Sequence, residues 1–595
     1  MSRTVADVLL ERLHEWDVEK VFAYPGDGIN GILASFGEQD HLQFVQSRHE
    51  EMSAFEAVGY AKFTGRVGVC MATSGPGAIH LLNGLYDAKL DHVPVVAIVG
   101  QTDRSAMGGS YQQEVDLLSL FKDVAHHYVH VVNVPEQLPN VLDRAMRTAA
   151  AEHAPTAIII PADVQELDYS PPTHEHKMVP SAGVHTSTPQ VTPDDPSIRA
   201  AADLLNSGEK VAMLVGQGAR GARAEVVEVA DLLGAGVAKA LLGKDVLPDD
   251  LPFVTGAIGL LGTRPTWDMM KDCDTLLTVG SNLPYSEFFP EYDQARGVQI
   301  DHDAKFIGMR YPYELNLVGD AAATLRALIP LLQRKQDRSW RQGIEDGVRR
   351  WWETIHMRAM TDADPVNPMR LFWELNDRLP GNAILTADSG SAANWYARHV
   401  RFGPDNRGSL SGTLATMGPA VPYGIGAKFG HPDRPVVAFA GDGAMQMNGM
   451  AELLTIAHYW HEWADPRLVV AVLHNNDLNQ VTWEMRAMGG APKLAESQTL
   501  PDVSYAAFAA GLGFEAITVD DPDQIGPAWD RALAAGKPAV IDVLCDADVP
   551  PIPPHATLDQ MTETAKSLFK GDEDAWGVVK QGAKTKIQEF LPHRS

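Results

Sequence analysis

Short uninterrupted apolar runs, many of them closed by glycine or proline, alternate along this chain with stretches of helical periodicity. KVFAYPG, LQFVQS, VGVCMATSG, VPVVAIVG and TAIIIPADV are the runs of the first part. A strand covered by helices on both faces reads this way because neither face meets water. The pattern therefore predicts α/β architecture with doubly wound parallel sheets. The signature returns in KVAMLVGQG, TLLTVGSN and GVQIDHD, and again in AILTADSG, PVVAFAGDG, LVVAVLHNN and AVIDVLCDADV. Three domains are expected, at 1–172, 196–335 and 366–550. A Pro/Ser/Thr/His-rich linker (173–195) and a polar helical segment (336–365) join them, and 551–595 form a tail. The first and third regions echo each other: PVVAIVG (94–100) matches PVVAFAG (435–441), and TAIIIPADV resembles AVIDVLCDADV. Structural duplication and shared strand composition would each produce such echoes.

Composition narrows the function classes. The 595 residues carry 49 Lys and Arg against 77 Asp and Glu, a formal charge of −28. That excess argues against a general nucleic-acid binder, which needs a basic face. Cys70, Cys273 and Cys545 are scattered without metal-ligand spacing and read as reduced core thiols. The first helix, MSRTVADVLLERLHEWDV, has acidic residues inside it and no apolar signal core. No apolar run reaches the roughly 20 residues of a membrane span. A cytoplasmic location is the expectation.

The chemistry concentrates where strands end. PVVAFAGDGAM runs a buried strand into a Gly-Asp-Gly turn and a helix, where glycines let amide groups approach a phosphate. A carboxylate there suits Mg²⁺, a hard cation that bridges to phosphates. LVVAVLHNND brings Asn476 and a main-chain carbonyl to the same end of the sheet, where doubly wound folds bind ligands. Read alone, each loop is equally a plain Asx turn.

Together the two loops resemble the thiamine-diphosphate signature, a Gly-Asp-Gly followed some two dozen residues later by Asn-Asn. Here 31 residues separate Gly443 from Asn475. The surplus is assigned to HYWHEWADPR (458–467), read as a surface corner at the far end of the strand from the ligands. The resemblance implies Asp442, the Asn476 side chain and the Leu478 carbonyl as Mg²⁺ ligands. Gly441, Gly443, Ala444 and Met445 fall on the diphosphate side. SRHEEMSAFEAVGYAKFTGRVGVCMATSGPGAIHLLNGLYDA (47–88) is similar to the family's pyrimidine-binding domain. There Glu50 falls on the carboxyl that shares a proton with the cofactor's pyrimidine ring, and His80 on a residue facing substrate. Gly26, Pro76 and Asn83 fall on cofactor contacts. SGTLATMGPAVPYGIGAKFG resembles the segment beneath the cofactor, with Thr416 and with Met417 as the apolar support that bends it. ADSGSAANW matches a further diphosphate-side loop carrying Asp388, Ser389 and Ser391.

The middle domain separates subfamilies. LVGQGARG alone is a weak dinucleotide signal, and no acidic residue follows at the distance NAD requires. Yet GAIGLLG, VGSNLPYSEFFPEYDQARGVQIDHDAKFIG and LVGDA resemble the FAD domain of pyruvate oxidases and quinone-linked pyruvate dehydrogenases. That implies FAD contacts at Gly216, Gly218, Gly280, Asn282, Asp301 and Asp320. One departure stands out: where that family carries Phe-Gln-Glu, this chain has Gln112-Gln113-Glu114, with Gln113 as the matching catalytic position and the aromatic absent. Trp576, Val579, Ile587, Phe590 and Leu591, with Lys580, Lys584 and Lys586, would form either a weak membrane-interfacial helix or a helix packed on the protein itself.

The resemblance implies oxidative decarboxylation of a 2-oxo acid, pyruvate above all, with thiamine diphosphate, Mg²⁺ and FAD, and with quinone or oxygen as acceptor. It also implies a homo-oligomer, a dimer of dimers. An acetolactate-synthase-like carboligase, a non-oxidative decarboxylase and a non-catalytic nucleotide-binding regulator are the alternatives.

Overall fold

The computed structural model describes residues 3–187, 189–551, 564, 567, 572, 574 and 577–581. It contains three parallel six-stranded sheets flanked by helices. The first is built from β1 (Lys20–Ala23), β2 (Gln43–Gln46), β3 (Gly68–Ala72), β4 (Val95–Gln101), β5 (Val129–Val131) and β6 (Pro155–Pro161), in the order β2-β1-β3-β4-β6-β5. The second comprises β7 (Val211–Val215), β8 (Gly236–Lys239), β9 (Val254–Ala257), β10 (Thr275–Val279), β11 (Arg296–Asp301) and β12 (Leu315–Val318), ordered β12-β11-β10-β7-β8-β9. The third comprises β13 (Ile384–Ala387), β14 (Arg407–Leu410), β15 (Val436–Gly441), β16 (Leu468–His474), β17 (Glu515–Val519) and β18 (Ala539–Leu544), ordered β14-β13-β15-β16-β18-β17.

The first and third sheets follow one permutation, so they are two copies of one topology. β6 and β18, the second echoing pair, occupy equivalent places. The first pair does not: PVVAIVG is β4, the fourth strand of its sheet, whereas PVVAFAG is β15, the third of its own. Its likeness reflects only what a doubly buried strand must contain.

One apolar core runs through both copies. Its centre is the crossing of two helices, Glu50–Thr64 and Ala420–Gly430, where glycines bring backbone against backbone. A Cβ on Gly59 would lie 2.6 Å from the Tyr423 Cα, and one on Gly426 would lie 2.2 Å from the Glu56 carbonyl oxygen. The three cysteines are buried and free, and burial pushes the Cys70 thiol up to about 12.

The 458–467 stretch lies at the surface, with His458, His461, Glu462 and Ala464 exposed, and it also braces the two copies. Trp463 is buried with its ring 6.0 Å from that of Phe429, Glu462 accepts from the Gln43 side chain, and the Tyr459 hydroxyl accepts the Gln46 amide at 2.7 Å. Met445–Gly449 winds as a π-turn between the Gly-Asp-Gly turn and the Met450–Tyr459 helix.

No described helix is long and apolar enough to cross a membrane. Of the tail positions singled out above, Val579 and Lys580 are exposed on the helical 577–581. Trp576, Lys584, Lys586, Ile587, Phe590 and Leu591 lie outside the described residues. Asp572 pairs with the buried Arg486 at 2.7 Å, which ties that part of the tail to the third domain.

Candidate active site

The Gly-Asp-Gly turn and the Asn-Asn loop converge on one carboxylate. Asp442 follows β15, and its Oδ1 accepts the Gly443 amide at 2.8 Å. Its Oδ2 accepts the amides of Asn475 (2.8 Å) and Asn476 (2.6 Å) beyond the adjacent β16. Adjacent parallel strands end side by side, so 31 intervening residues do not part the two loops. Burial pushes the Asp442 carboxyl up to about 6, against the pull of those amides. Asn476 takes the left-handed conformation (φ 55°), and its Oδ1 lies 2.9 Å from His474 Nε2. His474 is anchored in turn by Asp542 through Nδ1 at 2.9 Å. Burial is the largest single influence and opposes its charged form, but the hydrogen bond and charge of Asp542, with Asn476 and Asp442, together outweigh it and raise the imidazole's pKa. The Leu478 carbonyl opens the Asn479–Gly489 helix and accepts the Thr482 amide, leaving one lone pair.

Asp442, Asn476 and the Leu478 carbonyl offer oxygen donors of hard character on two loops tied by those amides, a donor set whose chemistry fits Mg²⁺. Space for a diphosphate fits as well: open room lies where a Cβ on Gly441 would point. The Ser389 hydroxyl is buried without a hydrogen-bond partner, and Ser391 begins the neighbouring Ser391–His399 helix. Gly443 is pinned instead, its absent Cβ 2.6 Å from Leu478 Cδ2 and 3.3 Å from the Met417 methyl. Ala444 and Met445 follow in the first turn, but the Met445 side chain belongs to the apolar core, so only its backbone faces the turn.

Asp388 plays a different part from the diphosphate contact expected of it. Its Oδ1 accepts the amides of Gly418 (2.9 Å) and Ala420 (3.0 Å), so it shapes the loop that carries Met417. Burial pushes this carboxyl up to about 7.

The other half of the site is the N-terminus of the Glu50–Thr64 helix. His49 caps it, its Nδ1 accepting the Glu51 amide at 3.2 Å. Glu50 is buried, and its Oε2 lies 2.9 Å from His80 Nδ1. A Cβ on Gly77 would come within 3.1 Å of Glu50 Oε1. Pro76 opens the Pro76–His80 helix. Asn83 bridges the halves, donating to Glu51 at 2.5 Å and to the Thr416 hydroxyl at 3.1 Å. Gly26 presses on Thr73, which supports the Gly28 amide. Gln113 sits in the left-handed region (φ 62°) and accepts from Ser74 Oγ at 2.7 Å, packed over Gly75. Beside it Tyr111 and Gln112 are exposed.

A cavity of about 410 Å³ opens between the second and third sheets. Gly216, Gly218 and Gly280 line it, packed so closely that a Cβ on Gly216 would lie 2.3 Å from the Gly280 oxygen. Asn282 and Asp301 line it too, and the cavity reaches Ser389. Asn282 Oδ1 and Arg310 Nε are buried in it without partners. Asp320 does not line it: its carboxylate caps the Ala321–Leu328 helix by accepting the Ala323 amide at 2.8 Å. Arg310 was not legible in the sequence, since an arginine in GMRYPYE carries no motif. The His474–Asp542 pair was hidden likewise, because its members meet only through strand pairing.

The comparisons agree with this division of the chain. Residues 3–120 match the model of the thiamine pyrophosphate enzyme N-terminal TPP binding domain, 198–328 the central domain and 388–543 the C-terminal TPP binding domain. The putative thiamine pyrophosphate-containing protein YdaP of Bacillus subtilis is 33% identical, over 96% of each chain. An acetolactate synthase of Arthrospira platensis is 31% identical over 94% of this chain and 97% of its own. A pyruvate oxidase of Lactiplantibacillus plantarum is 28% identical over 94% and 91%. With a carboxylate–amide clamp at one end of the third sheet, a buried glutamate at a helix N-terminus in the first domain and matches spanning all three domains, the chain belongs to the thiamine pyrophosphate enzyme family.

Proposed function

We propose that this protein oxidatively decarboxylates a 2-oxo acid, pyruvate first among them, yielding acetate and CO₂ and passing two electrons through FAD to quinone or oxygen. The observation that carries the oxidative half is the cavity between the second and third sheets. Its close-packed glycines, unpartnered Arg310 guanidinium nitrogen and unpartnered Asn282 oxygen fit a diphosphate and a polyhydroxylated chain. Its apolar wall of Leu241, Ile258, Leu261 and Leu283 fits a fused ring.

Thiamine diphosphate, when bound, supplies the electron sink for decarboxylation, and FAD the two-electron acceptor. The chain's own residues do the rest. Asp442, Asn476 and Leu478 hold Mg²⁺, and Met417 supports the cofactor from the Asp388-braced loop. Glu50 carries the proton exchanged with the pyrimidine ring, and His80, bonded to Glu50, faces the substrate. Gln113, held by Ser74, would be the further catalytic side chain. Carboligation remains the second reading, favoured by the acetolactate synthase relatives and by Gln112 where an aromatic would stand. As a homo-oligomer, such an enzyme would work at the inner membrane face only if its acceptor is a quinone.

Anaerobic addition of a panel of 2-oxo acids to the purified flavoprotein tests the proposal. Bleaching of the flavin by one of them, reversed by quinone or air, is the expected result. A colourless protein, or a flavin that stays oxidised while a carboligation product accumulates, overturns the oxidative reading.

A further inference from the structure

Two carboxylic acids face each other where the first and third domains meet. Glu56 lies six residues beyond Glu50 on the same helix, and Glu452 lies on Met450–Tyr459, the helix that continues from the Gly-Asp-Gly turn. Both are fully buried and within hydrogen-bonding reach of one another. Glu452 Oε1 accepts the Arg48 backbone amide at 2.9 Å, two residues before Glu50. Glu452 Oε2 and both oxygens of Glu56 are buried without a geometrically formed hydrogen bond, and the Thr455 hydroxyl is the neighbouring O–H within reach of the Glu452 carboxyl.

Three buried acceptors without a donor are costly, and two adjacent buried carboxylates more so. A proton between the two acids is the donor this constellation lacks. The Arg48 guanidinium is the facing cation. It is already committed to Gln46 and to the Thr455 hydroxyl, and its single charge balances one carboxylate, not two. The Tyr459 phenol, on the same helix as Glu452, is engaged by the Gln46 amide. The Ala420–Gly430 helix meets Glu56 with Gly426, and its Lys428 is held by the carbonyls of Pro432, Arg434 and Asp465.

We propose that Glu56 and Glu452 share one proton, and that this acid pair is a positioning device that keeps Arg48, and with it Glu50, in register with the metal-clamp helix. The turnover consequence rests on the reading of Glu50 given above; the shared proton does not. Burial raises both carboxyls above their usual range, Glu56 further by repulsion from Glu452. The sign follows: the folded chain keeps a proton that the unfolded chain releases near its ordinary glutamate value. Stability is therefore full at low pH and falls as pH rises toward the folded pKa. Beyond that point two negative charges repel across the domain contact.

The test uses full-length wild type, Glu56→Gln and Glu452→Gln, each able to supply the donor permanently as a carboxamide. Infrared difference spectra of wild type minus each variant, recorded in steps upward from about pH 5, should show a protonated-carboxyl stretch that outlasts the ordinary glutamate range in wild type and is missing from both variants. The wild-type unfolding equilibrium should lose up to about tenfold per pH unit more than either variant as pH rises from the ordinary glutamate value toward the pair's folded pKa. The alkaline limb of turnover should move to higher pH in the variants with KM unchanged. Absence of the carboxyl band in wild type, or parallel stability profiles, overturns the shared proton. A band with an unmoved alkaline limb overturns the positioning role. Should Glu50 prove dispensable, the spectral and stability arms still decide the pair.

Discussion

Gly426→Ala probes how the two halves of the site are held in register. A Cβ there would meet the Glu56 carbonyl oxygen at 2.2 Å and the Tyr60 nitrogen at 2.7 Å, both backbone atoms, so no side-chain rotation relieves it. Ordinary contact begins near 3.4 Å, so the Glu50–Thr64 and Ala420–Gly430 helices must part by about 1 Å. Overpacking of this kind costs about 1–3 kcal/mol. The larger effect is on geometry, because Glu50 rides on one helix while Met417 leads into the other. A misplacement of about 1 Å costs on the order of a hundredfold in rate. The variant should fold, unfold several degrees lower, bind thiamine diphosphate more weakly and turn over about a hundredfold more slowly. Steady-state kinetics and cofactor titration of the purified variant read all of this. Wild-type turnover in Gly426→Ala would refute the reasoning, since the crossing would then not set the position of Glu50.

Glu50→Gln should lower turnover by about 10²–10⁴ while thiamine diphosphate with Mg²⁺ still raises the unfolding temperature; unchanged turnover removes Glu50 from its role. Asp388→Asn keeps an oxygen for the Gly418 and Ala420 amides but cannot ionise. Because burial lifts Asp388 from 3.8 to about 7, the wild type loses stability as pH rises across that interval and the variant does not. Calorimetric unfolding should show the gap widening to about pH 7 and then holding. Gly343→Ala on the Ser339–Ala359 helix meets open space, so it should stabilise by about 1 kcal/mol in the same calorimetry with turnover unchanged.

The fold was legible because doubly buried strands have nowhere to hide: apolar runs mark twelve of the eighteen. The exceptions are instructive. β5, β8, β9, β12, β14 and β17 lie at or beside sheet margins, where residues such as His130, Arg407 and Thr518 break the apolar signature. Within the site, residues whose part depends on a local turn could be read from the chain, as with Asp442 and Asn476. Those whose part depends on meeting a distant element could not. Glu56 looks like any helix-surface glutamate until the Met450–Tyr459 helix buries it against Glu452, and Asp388 looks like a phosphate contact until Gly418 and Ala420 claim its oxygen. The bracing contacts of the 458–467 corner were hidden for the same reason, because its partners, Gln43, Gln46 and Phe429, are remote in sequence.

That brace has a further consequence for the protein in a crowded solution. β2 is the outermost strand of the first sheet, and an outermost strand offers unpaired amides on which a foreign strand can nucleate. The Tyr459 hydroxyl occupies the Gln46 amide and approaches the Phe44 carbonyl, while Glu462 holds Gln43 beside them. The neighbouring domain thus plugs the place where self-association would begin. Shortening the corner would cost the protein its solubility before it cost the enzyme its chemistry.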